Sequence, residues 1–198
     1  MKGCGVVLLA GGKATRLPGK LSLPSPELPL VVRTYRNLAG EREFVLSRAA
    51  AFDPALAALL PIPFVVDRAP ARGPLGGLLS ALASVTWPAA FAIAGDMPFV
   101  DRAFLERLEA AWQPGDEALV PAYVRDGVTH TEPLAALYDR IAFLREGTRV
   151  FESGHGSVRF VLERLRTRHL ENEDPRLFAN INTPHDYAAL RAQERLPA

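Results

Sequence analysis

The sequence predicts an α/β fold with three layers, α/β/α, around a mostly parallel sheet that has a smaller antiparallel portion. Two observations favour this fold class. Short apolar runs bounded by Gly, Pro or Asp alternate along the chain with stretches of helical spacing, and such runs are typical of parallel strands buried on both faces. After Trp112 the pattern changes, and the turn signal Asp126-Gly127 favours antiparallel pairing.

Each element follows from a local pattern. Four apolar runs are predicted as parallel strands: Val6 to Leu9, Phe44 to Leu46, Phe64 to Val66 and Phe91 to Ala94. Six stretches are predicted as helices: Pro29 to Leu38, Ala55 to Leu60, Leu75 to Val85, Phe104 to Trp112, Val158 to Leu165, and a last helix after Thr183. Asp53, Asp101 and Thr183 have the side chains of helix caps. Leu119 to Val124 and Pro133 to Tyr138 supply the antiparallel portion.

Composition restricts the class of protein. The chain has 198 residues, which predicts one domain covering 1–198. Its formal net charge of +1 gives no reason to expect nucleic acid or an anionic membrane as a partner. No apolar run reaches the length of about 18 residues that a transmembrane helix needs. The single cysteine, Cys4, excludes an intramolecular disulfide, which fits a cytoplasmic protein.

The opening of the chain is its most informative segment. The apolar run Cys4 to Ala10 continues directly into Gly11 to Lys20, which holds two of the chain's three lysines. Glycines let backbone N–H groups approach phosphate oxygens, and cations neutralise the phosphate charge. The segment fits neither G-x-G-x-x-G nor the Walker A pattern. We therefore expect a nucleotide-handling enzyme, with a solvated basic loop as the alternative.

Other polar residues follow the predicted strands at the edge where an open α/β sheet binds ligands. Ser47, Asp67 and Asp96 each come directly after one of these strands. Each has a structural alternative: Asp67 could cap a turn or pair with Arg68, and Asp96 could hold the turn that contains it. Their convergence on one edge favours a binding site.

Three segments carry groups suited to phosphate and metal chemistry. Asp96 offers the carboxylate that Mg²⁺ needs beside triphosphate oxygens. Asn180 and Asn182 share a face of an extended segment and could ligate a metal or donate to a ligand, although Asn182 could instead cap the last helix. Gly73 to Gly77 opens a helix whose N-terminus could face an anion or simply pack on the sheet.

The remaining candidates are sparse. Glu132 precedes a predicted strand and is a candidate for lining an acceptor site. The histidines lack metal-ligand spacing, and we expect surface or capping roles for all four: His130, His155, His169 and His185.

Together these segments resemble a known family. Leu9 to Leu17, with the later Lys20, resembles the signature loop of the GT-A-like nucleotidyltransferases. Three later motifs, Gly73 to Gly77, Gly95 to Pro98 and Asn180 to Pro184, are similar in order and spacing to those of the molybdenum cofactor guanylyltransferases, the MobA family. The match spans nearly the whole chain, and it implies a Rossmann-like α/β/α domain.

The resemblance also implies a reaction and its participants. The terminal phosphate of molybdopterin attacks the α-phosphorus of GTP with Mg²⁺ as cofactor, and pyrophosphate leaves. Proteins that deliver molybdopterin or accept the product are candidate partners, and a monomer or weak oligomer is expected. The implied catalytic residues are Lys20, Arg16 and Asp96. The implied nucleotide-binding residues are Leu9, Ala10, Gly11, Gly12, Lys13, Arg16, Lys20, Ser47, Asp67 and Asp96. On the acceptor side the resemblance implies Asn180, Asn182 and Glu132, and as metal ligands Asp96 and Asn182.

The chain also departs from the family pattern. The loop before Lys20 is two residues shorter and lacks the aspartate that usually precedes the lysine. Ser47 stands where relatives often have asparagine, and Glu132 where some have histidine. Three alternatives stay open: a cytidylyltransferase of the same cofactor, a sugar-phosphate nucleotidyltransferase of the same fold, and a non-catalytic nucleotide-binding protein. The last would be expected to have lost Lys20 or Asp96.

Overall fold

The computed structural model describes residues 3–11, 17–25, 27–67, 69, 72–171 and 173–194. Its strands are β1 (Gly5–Ala10), β2 (Phe44–Arg48), β3 (Phe64–Val66), β4 (Ala89–Ala94), β5 (Ala118–Arg125), β6 (Val128–Thr131), β7 (Ala135–Asp139) and β8 (Thr167–Leu170). Its α-helices are α1 (Leu30–Leu38), α2 (Pro54–Ala58), α3 (Pro74–Ala83), α4 (Arg102–Ala111), α5 (Arg140–Glu152), α6 (Arg159–Leu162) and α7 (Pro184–Glu194). Single 3₁₀ turns span Lys20–Ser22 and Pro175–Phe178.

The strands form one mixed sheet in the order β3-β2-β1-β4-β7-β5-β6, with β8 paired to β5. Strands β3, β2, β1 and β4 are parallel, whereas β7 joins β4 and β5 in antiparallel fashion. The β5–β6 hairpin turns through Asp126 and Gly127, both with positive φ, as a tight hairpin requires. The predicted α/β fold, mostly parallel with an antiparallel portion, is therefore confirmed.

Helices cover both faces of the sheet and produce two cores. Val7 and Leu8 are neighbours on β1, yet Leu8 packs with α1, α2 and α4 while Val7 packs with α3, α5 and α6. Both side chains are fully buried, because successive residues of a strand point to opposite faces. This arrangement gives the predicted three layers. No helix in the described part of the chain is long and apolar enough to cross a bilayer.

The predicted helix caps are present. Asp53 accepts a hydrogen bond from the Ala55 N–H at 2.8 Å, and Asp101 accepts one from Phe104 at the same distance. Thr183 Oγ1 accepts the Asp186 N–H at 3.1 Å. Each cap satisfies a backbone donor that the first helical turn leaves without a partner, which is worth about 1 kcal/mol.

Several elements differ from the sequence interpretation. The β3 run was expected to be buried on both faces, but β3 forms the margin of the sheet and leaves Phe64 and Val66 exposed. Helix α6 ends at Leu162 rather than Leu165. Helix α5 and strands β6 and β8 were not predicted. Strand β8 has the sequence Thr-Arg-His-Leu and no apolar run, so its parallel pairing with β5 determines it.

Candidate active site

A cavity of about 460 Å³ opens at the carboxyl ends of β1, β2 and β4. Most of the residues predicted for the site line it: Leu9, Gly11, Lys20, Ser47, Asp67, Asp96, Glu132, Asn180 and Asn182. Ala10 belongs to β1, is buried and does not line the cavity. The predictions for Gly12, Lys13 and Arg16 lie outside the described residues. The convergence expected from the strand ends is therefore present for the described candidates.

Lys20 lies at the centre of the polar groups in this cavity. Its ammonium forms an ion pair with Asp96 Oδ2 and donates a hydrogen bond to Asn182 Oδ1 at 2.8 Å. The side chains of Lys20 and Asp96 are only 16% and 11% exposed. At that exposure an ion pair is screened less than a surface pair. The Asn182 amide oxygen faces a cation, so the alternative in which its side chain caps the last helix is not what the structure contains.

The two side-chain oxygens that contact Lys20 belong to segments that are far apart in the sequence. A main-chain hydrogen bond joins these two segments. Asp96 follows β4, and the carbonyl of Asp96 accepts the Ile181 N–H at 3.2 Å. Ile181 is buried in a small apolar cluster with Leu30 and Leu190, which fixes the segment between Asn180 and Asn182. The Gly95 N–H in turn donates to the Leu9 carbonyl at 2.9 Å. The main chain thus holds the Asp96 and Asn182 side chains in register.

Two residues that sequence reasoning missed hold the same turn from α1. The Thr34 hydroxyl shares its one proton between the carbonyl of Leu30, at 3.0 Å, and the carbonyl of Gly95, at 3.1 Å. The Asn37 amide donates to the carbonyl of Pro98 at 2.6 Å. Thr34 is fully buried. Asn37 is one of only four asparagines in the chain, a scarcity that offered a signal for it. Neither residue follows a strand, so the strand-end criterion did not select them.

A second polar group lies beneath helix α3. Ser47 and Asp67 are 1% and 4% exposed, and within the described ranges the hydroxyl of Ser47 has no hydrogen-bond partner. Asp67 Oδ1 accepts the Ala69 N–H at 2.8 Å, so Asp67 does cap a turn, as one alternative supposed. The Oδ2 atom of Asp67 faces Gly11 and Gly77. A buried hydroxyl beside a carboxylate oxygen suits a ligand that carries N–H donors.

Helix α3 can pack close to Ser47 and Asp67 because glycines stand at its start. A Cβ on Gly77 would come within 2.7 Å of Ser47 Oγ and 3.3 Å of Asp67 Oδ2. Gly73 has φ +88, and a Cβ there would lie 2.7 Å from the Gly156 carbonyl. That carbonyl also accepts the Leu75 N–H at 3.1 Å. Anion binding at the N-terminus of α3 stays a prediction. One backbone N–H group of its first turn, that of Leu75, already donates to a protein carbonyl.

Glu132 and Asn180 form the third polar group. Asn180 Nδ2 donates to Glu132 Oε2 at 3.4 Å and to the Phe178 carbonyl at 3.3 Å, while Glu132 Oε1 accepts the Leu134 N–H at 3.3 Å. Burial raises the pKa of the Glu132 carboxyl, and the nearby Asp96 charge raises it further. Phe178 anchors this segment through an edge-to-face contact with Phe104 at 5.3 Å.

The donor set fits a divalent metal that is shared with a phosphate ligand. Asp96 supplies a carboxylate and Asn182 an amide oxygen, and both already face the cation of Lys20. Mg²⁺ usually takes one or two protein carboxylates and completes its shell with phosphate oxygens and water. Among the described residues no three His, Cys, Asp or Glu side chains cluster, so a metal cage made of protein ligands alone is not present there.

Other features lie away from this chemistry. A larger cavity of about 530 Å³ opens at the amino ends of the central strands and contains none of the predicted site residues. Cys4 borders it as a buried residue, and burial raises the pKa of its thiol. None of the four histidines lines the 460 Å³ cavity.

Comparisons with known proteins bear on the family and the fold of the chain. Residues 6–170 match the family model described as "MobA-like NTP transferase domain". The "Probable molybdenum cofactor guanylyltransferase" of Chloroflexus aggregans is 30% identical over 94% of this chain and 92% of that protein. The crystal structure of molybdopterin-guanine dinucleotide biosynthesis protein A from Archaeoglobus fulgidus has a TM-score of 0.78 and 26% identity, covering 96% of this chain and 97% of that one.

One further structure bears on the fold alone. The 4-diphosphocytidyl-2C-methyl-D-erythritol synthase of Anaerococcus prevotii superposes with a TM-score of 0.80 at 12% identity, over 98% of this chain and 99% of that one. The family model and the Chloroflexus aggregans relative confirm, at the level of the family, the resemblance seen in the sequence motifs. The chain is a nucleotidyltransferase, and it belongs to the family of MobA-like NTP transferase domains.

Proposed function

We propose that the protein transfers GMP from GTP to molybdopterin, releasing pyrophosphate and forming the guanine dinucleotide form of the cofactor. The observation that carries the proposal is the arrangement of one cavity: the Lys20, Asp96 and Asn182 group lies in the same space as the buried Ser47 and Asp67 pair. The first group suits a metal-bound triphosphate and the second suits a base. The names of the relatives in this family supply the acceptor.

The chemistry at the first group is a substitution at phosphorus. An oxygen of the molybdopterin phosphate forms a bond to the α-phosphorus of GTP, and the bond from that phosphorus to the bridging oxygen breaks. The electron pair leaves with pyrophosphate, and no covalent enzyme intermediate is needed. Lys20, with Arg16 from the same loop, would bind the triphosphate and the departing charge. Such charge-assisted contacts are each worth about 1.5–3 kcal/mol.

A divalent metal completes this scheme. Nucleotidyltransferases generally use one, and we propose Mg²⁺ with Asp96 and Asn182 as its protein ligands. When bound, it supplies neutralisation of phosphate charge. Lys20, Asp96 and Asn182 orient the phosphates around it.

Base recognition is assigned to the second group. Guanine offers N–H donors along one edge, and the Asp67 Oδ2 atom is an acceptor close to the Ser47 hydroxyl. The backbone of Leu9, Ala10 and Gly11, with Gly12 and Lys13 beyond them, would contact the nucleotide between base and phosphates.

The acceptor is assigned to the remaining wall. Glu132 and Asn180 are bonded to each other and border the cavity beside Asp96 and Asn182. We infer that this wall receives molybdopterin. Residues 1–198 are proposed to act as one domain, because a single sheet includes strands from Gly5 to Leu170. The cytoplasmic location, the monomeric or weakly associated state and the delivery partners stay predictions.

The test is pyrophosphate release by the purified protein with Mg²⁺ and molybdopterin, comparing GTP with CTP, ATP and UTP. Release with GTP alone is the expected result. Release with CTP instead would make the protein a cytidylyltransferase, and release with a sugar phosphate but not molybdopterin would overturn the acceptor. Binding of GTP without any release would support a non-catalytic role.

A further inference from the structure

We propose that the Lys20 ammonium occupies the cation position between Asp96 and Asn182 when no nucleotide is bound, and moves to the triphosphate when the metal–nucleotide complex arrives. Lys20 would then keep the metal site closed to free divalent cations. This inference rests on the proposed role of Asp96 and Asn182 as metal ligands. It concerns the state before catalysis, so it can be tested without base or acceptor.

The geometry places one cation on the two oxygens that a metal would need. Lys20 Nζ is ion-paired with Asp96 Oδ2 and lies 2.8 Å from Asn182 Oδ1. A divalent metal held by Asp96 and Asn182 would need these same two oxygens. Two positive charges cannot share that space, because they would compete for the same lone pairs and repel each other. Either Lys20 or the metal can bind there, but not both.

Charge determines when the exchange is favourable. Asp96 is only 11% exposed as a side chain, so Lys20 compensates a carboxylate with limited access to water. A free metal ion would have to displace that ammonium into solvent. A metal ion arriving with a triphosphate brings a new anionic partner for Lys20, so the displaced charge stays paired. Metal and nucleotide binding should therefore be coupled, and such couplings are typically about 5- to 150-fold.

The local structure allows this exchange by side-chain motion alone. Lys20 is the first residue of a 3₁₀ turn whose backbone is held by hydrogen bonds from Ser22 N–H to the Gly19 carbonyl at 2.8 Å and from Leu23 N–H to the Lys20 carbonyl at 3.1 Å. The flexible four-carbon side chain of lysine can then redirect its ammonium while the turn stays in place.

The experiment measures Mn²⁺ binding by the nucleotide-free full chain, using the electron paramagnetic resonance signal of free Mn²⁺. Wild type is compared with Lys20→Met, Lys20→Arg and Asp96→Asn. We expect Lys20→Met to bind Mn²⁺ at least about tenfold more tightly than wild type. Lys20→Arg keeps a cation and should bind Mn²⁺ as wild type does. In a double variant, Asp96→Asn should abolish the Mn²⁺ binding that Lys20→Met gains.

A matched control separates a specific exchange from a general change in charge. The positive charge of Arg159 opposes the burial that raises the pKa of Glu132, but its guanidinium bonds to the carbonyl of Thr131, at 3.5 Å. Arg159→Gln therefore removes one positive charge near the cavity without opening the Asp96 site, and should change Mn²⁺ affinity less than about threefold. The proposal is overturned if Lys20→Met binds within threefold of wild type, or if Arg159→Gln matches Lys20→Met. Thermal melting of each variant verifies folding. A wrong acceptor or base assignment would leave these results unchanged.

Discussion

The side-chain amide of Asn37 donates a hydrogen bond to the carbonyl of Pro98 at 2.6 Å and so ties helix α1 to the turn that carries Asp96. One helical turn earlier, the Thr34 hydroxyl bonds to the carbonyl of Gly95 at 3.1 Å. Both ends of the turn are therefore held from the same helix. Because Asp96 lies between them, its carboxylate direction depends on residues that do not line the cavity.

The first prediction concerns this support. Thr34→Val keeps the shape of the side chain but removes the hydroxyl. The lost hydrogen bond should destabilise the position of the turn that carries Asp96 by roughly 0.5–1.5 kcal/mol. We expect a several-fold rise in the Mg²⁺ concentration that gives half-maximal rate, with the KM for GTP at saturating Mg²⁺ little changed. Thr34→Ser keeps the hydroxyl and should behave as wild type. If valine and serine give the same metal dependence, the bond to Gly95 does not position Asp96.

Asp96 itself gives the second prediction. Asp96→Ala should abolish turnover because it removes the proposed metal carboxylate. The fold should stay intact, since the side chain lines the cavity and the main-chain bond from Ile181 to the Asp96 carbonyl remains. Pyrophosphate release and circular dichroism test the two halves. Rates equal to wild type would contradict the metal assignment.

Lys20 gives the third prediction. Lys20→Ala removes a charge-assisted phosphate contact worth about 1.5–3 kcal/mol, so kcat/KM for GTP should fall tenfold or more. Steady-state kinetics with GTP as the varied substrate measure the effect. An unchanged kcat/KM would assign the phosphate contact to Lys13 or Arg16 instead.

The sequence predicts the parallel half of the fold and most of the candidate site residues. Ser47, Asp67 and Asp96 could be found because parallel strands that end on one edge bring the following residues together. Lys20 could be found from its loop, but its contact with Asp96 and Asn182 could not, because it joins residues separated by 76 and 162 positions.

The missed elements have a related cause. Strand β8 has no pattern of its own and is determined by its partner β5. Thr34 and Asn37 lie on a helix face, where a polar residue usually meets solvent, and only the tertiary structure shows that they meet the Gly95 to Pro98 turn. The exposure of β3 follows from strand order, which local patterns do not encode.

The fourth prediction separates stability from nucleotide binding in helix α3. Gly77→Ala places a Cβ within 2.7 Å of Ser47 Oγ and 3.3 Å of Asp67 Oδ2, so the Ser47 hydroxyl must shift from its present position. Alanine is intrinsically more favourable than glycine in a helix by about 1 kcal/mol, so the melting temperature should change little. The KM for GTP should rise severalfold.

Ser80→Ala is the matched control for Gly77→Ala. Ser80 lies in the same helix, where its hydroxyl bonds to the Gly76 carbonyl at 2.9 Å, and it does not line the cavity. Its KM for GTP should equal that of wild type. If Gly77→Ala leaves the KM unchanged, the Ser47 and Asp67 pair does not contact the nucleotide.

The last prediction concerns pH and the start of helix α7. Burial alone would raise the pKa of Asp186, but hydrogen bonds from the backbone N–H groups of Asn182 and Thr183, at 3.0 and 2.8 Å, outweigh it and hold the pKa below its ordinary value. A lowered pKa in the folded state stabilises the protein above the unfolded pKa of about 3.9, and this stabilisation is lost as the pH falls through the folded value. Asp186→Ala should therefore lower the free energy of unfolding by about 1 kcal/mol at pH 7, and the difference from wild type should shrink below about pH 4.

The same substitution should also affect the site, because the Asn182 N–H loses its acceptor next to the side chain that meets Lys20. Denaturant unfolding at pH 7 and pH 3 measures stability, and kcat at saturating GTP measures the effect on the site. Asp53→Ala removes a comparable cap from α2, far along the chain from Asn182, and should lower stability without lowering kcat. A stability difference that is the same at both pH values would show that the charge of Asp186 does not contribute. Equal kcat values for the two variants would show that the cap of α7 acts on stability alone.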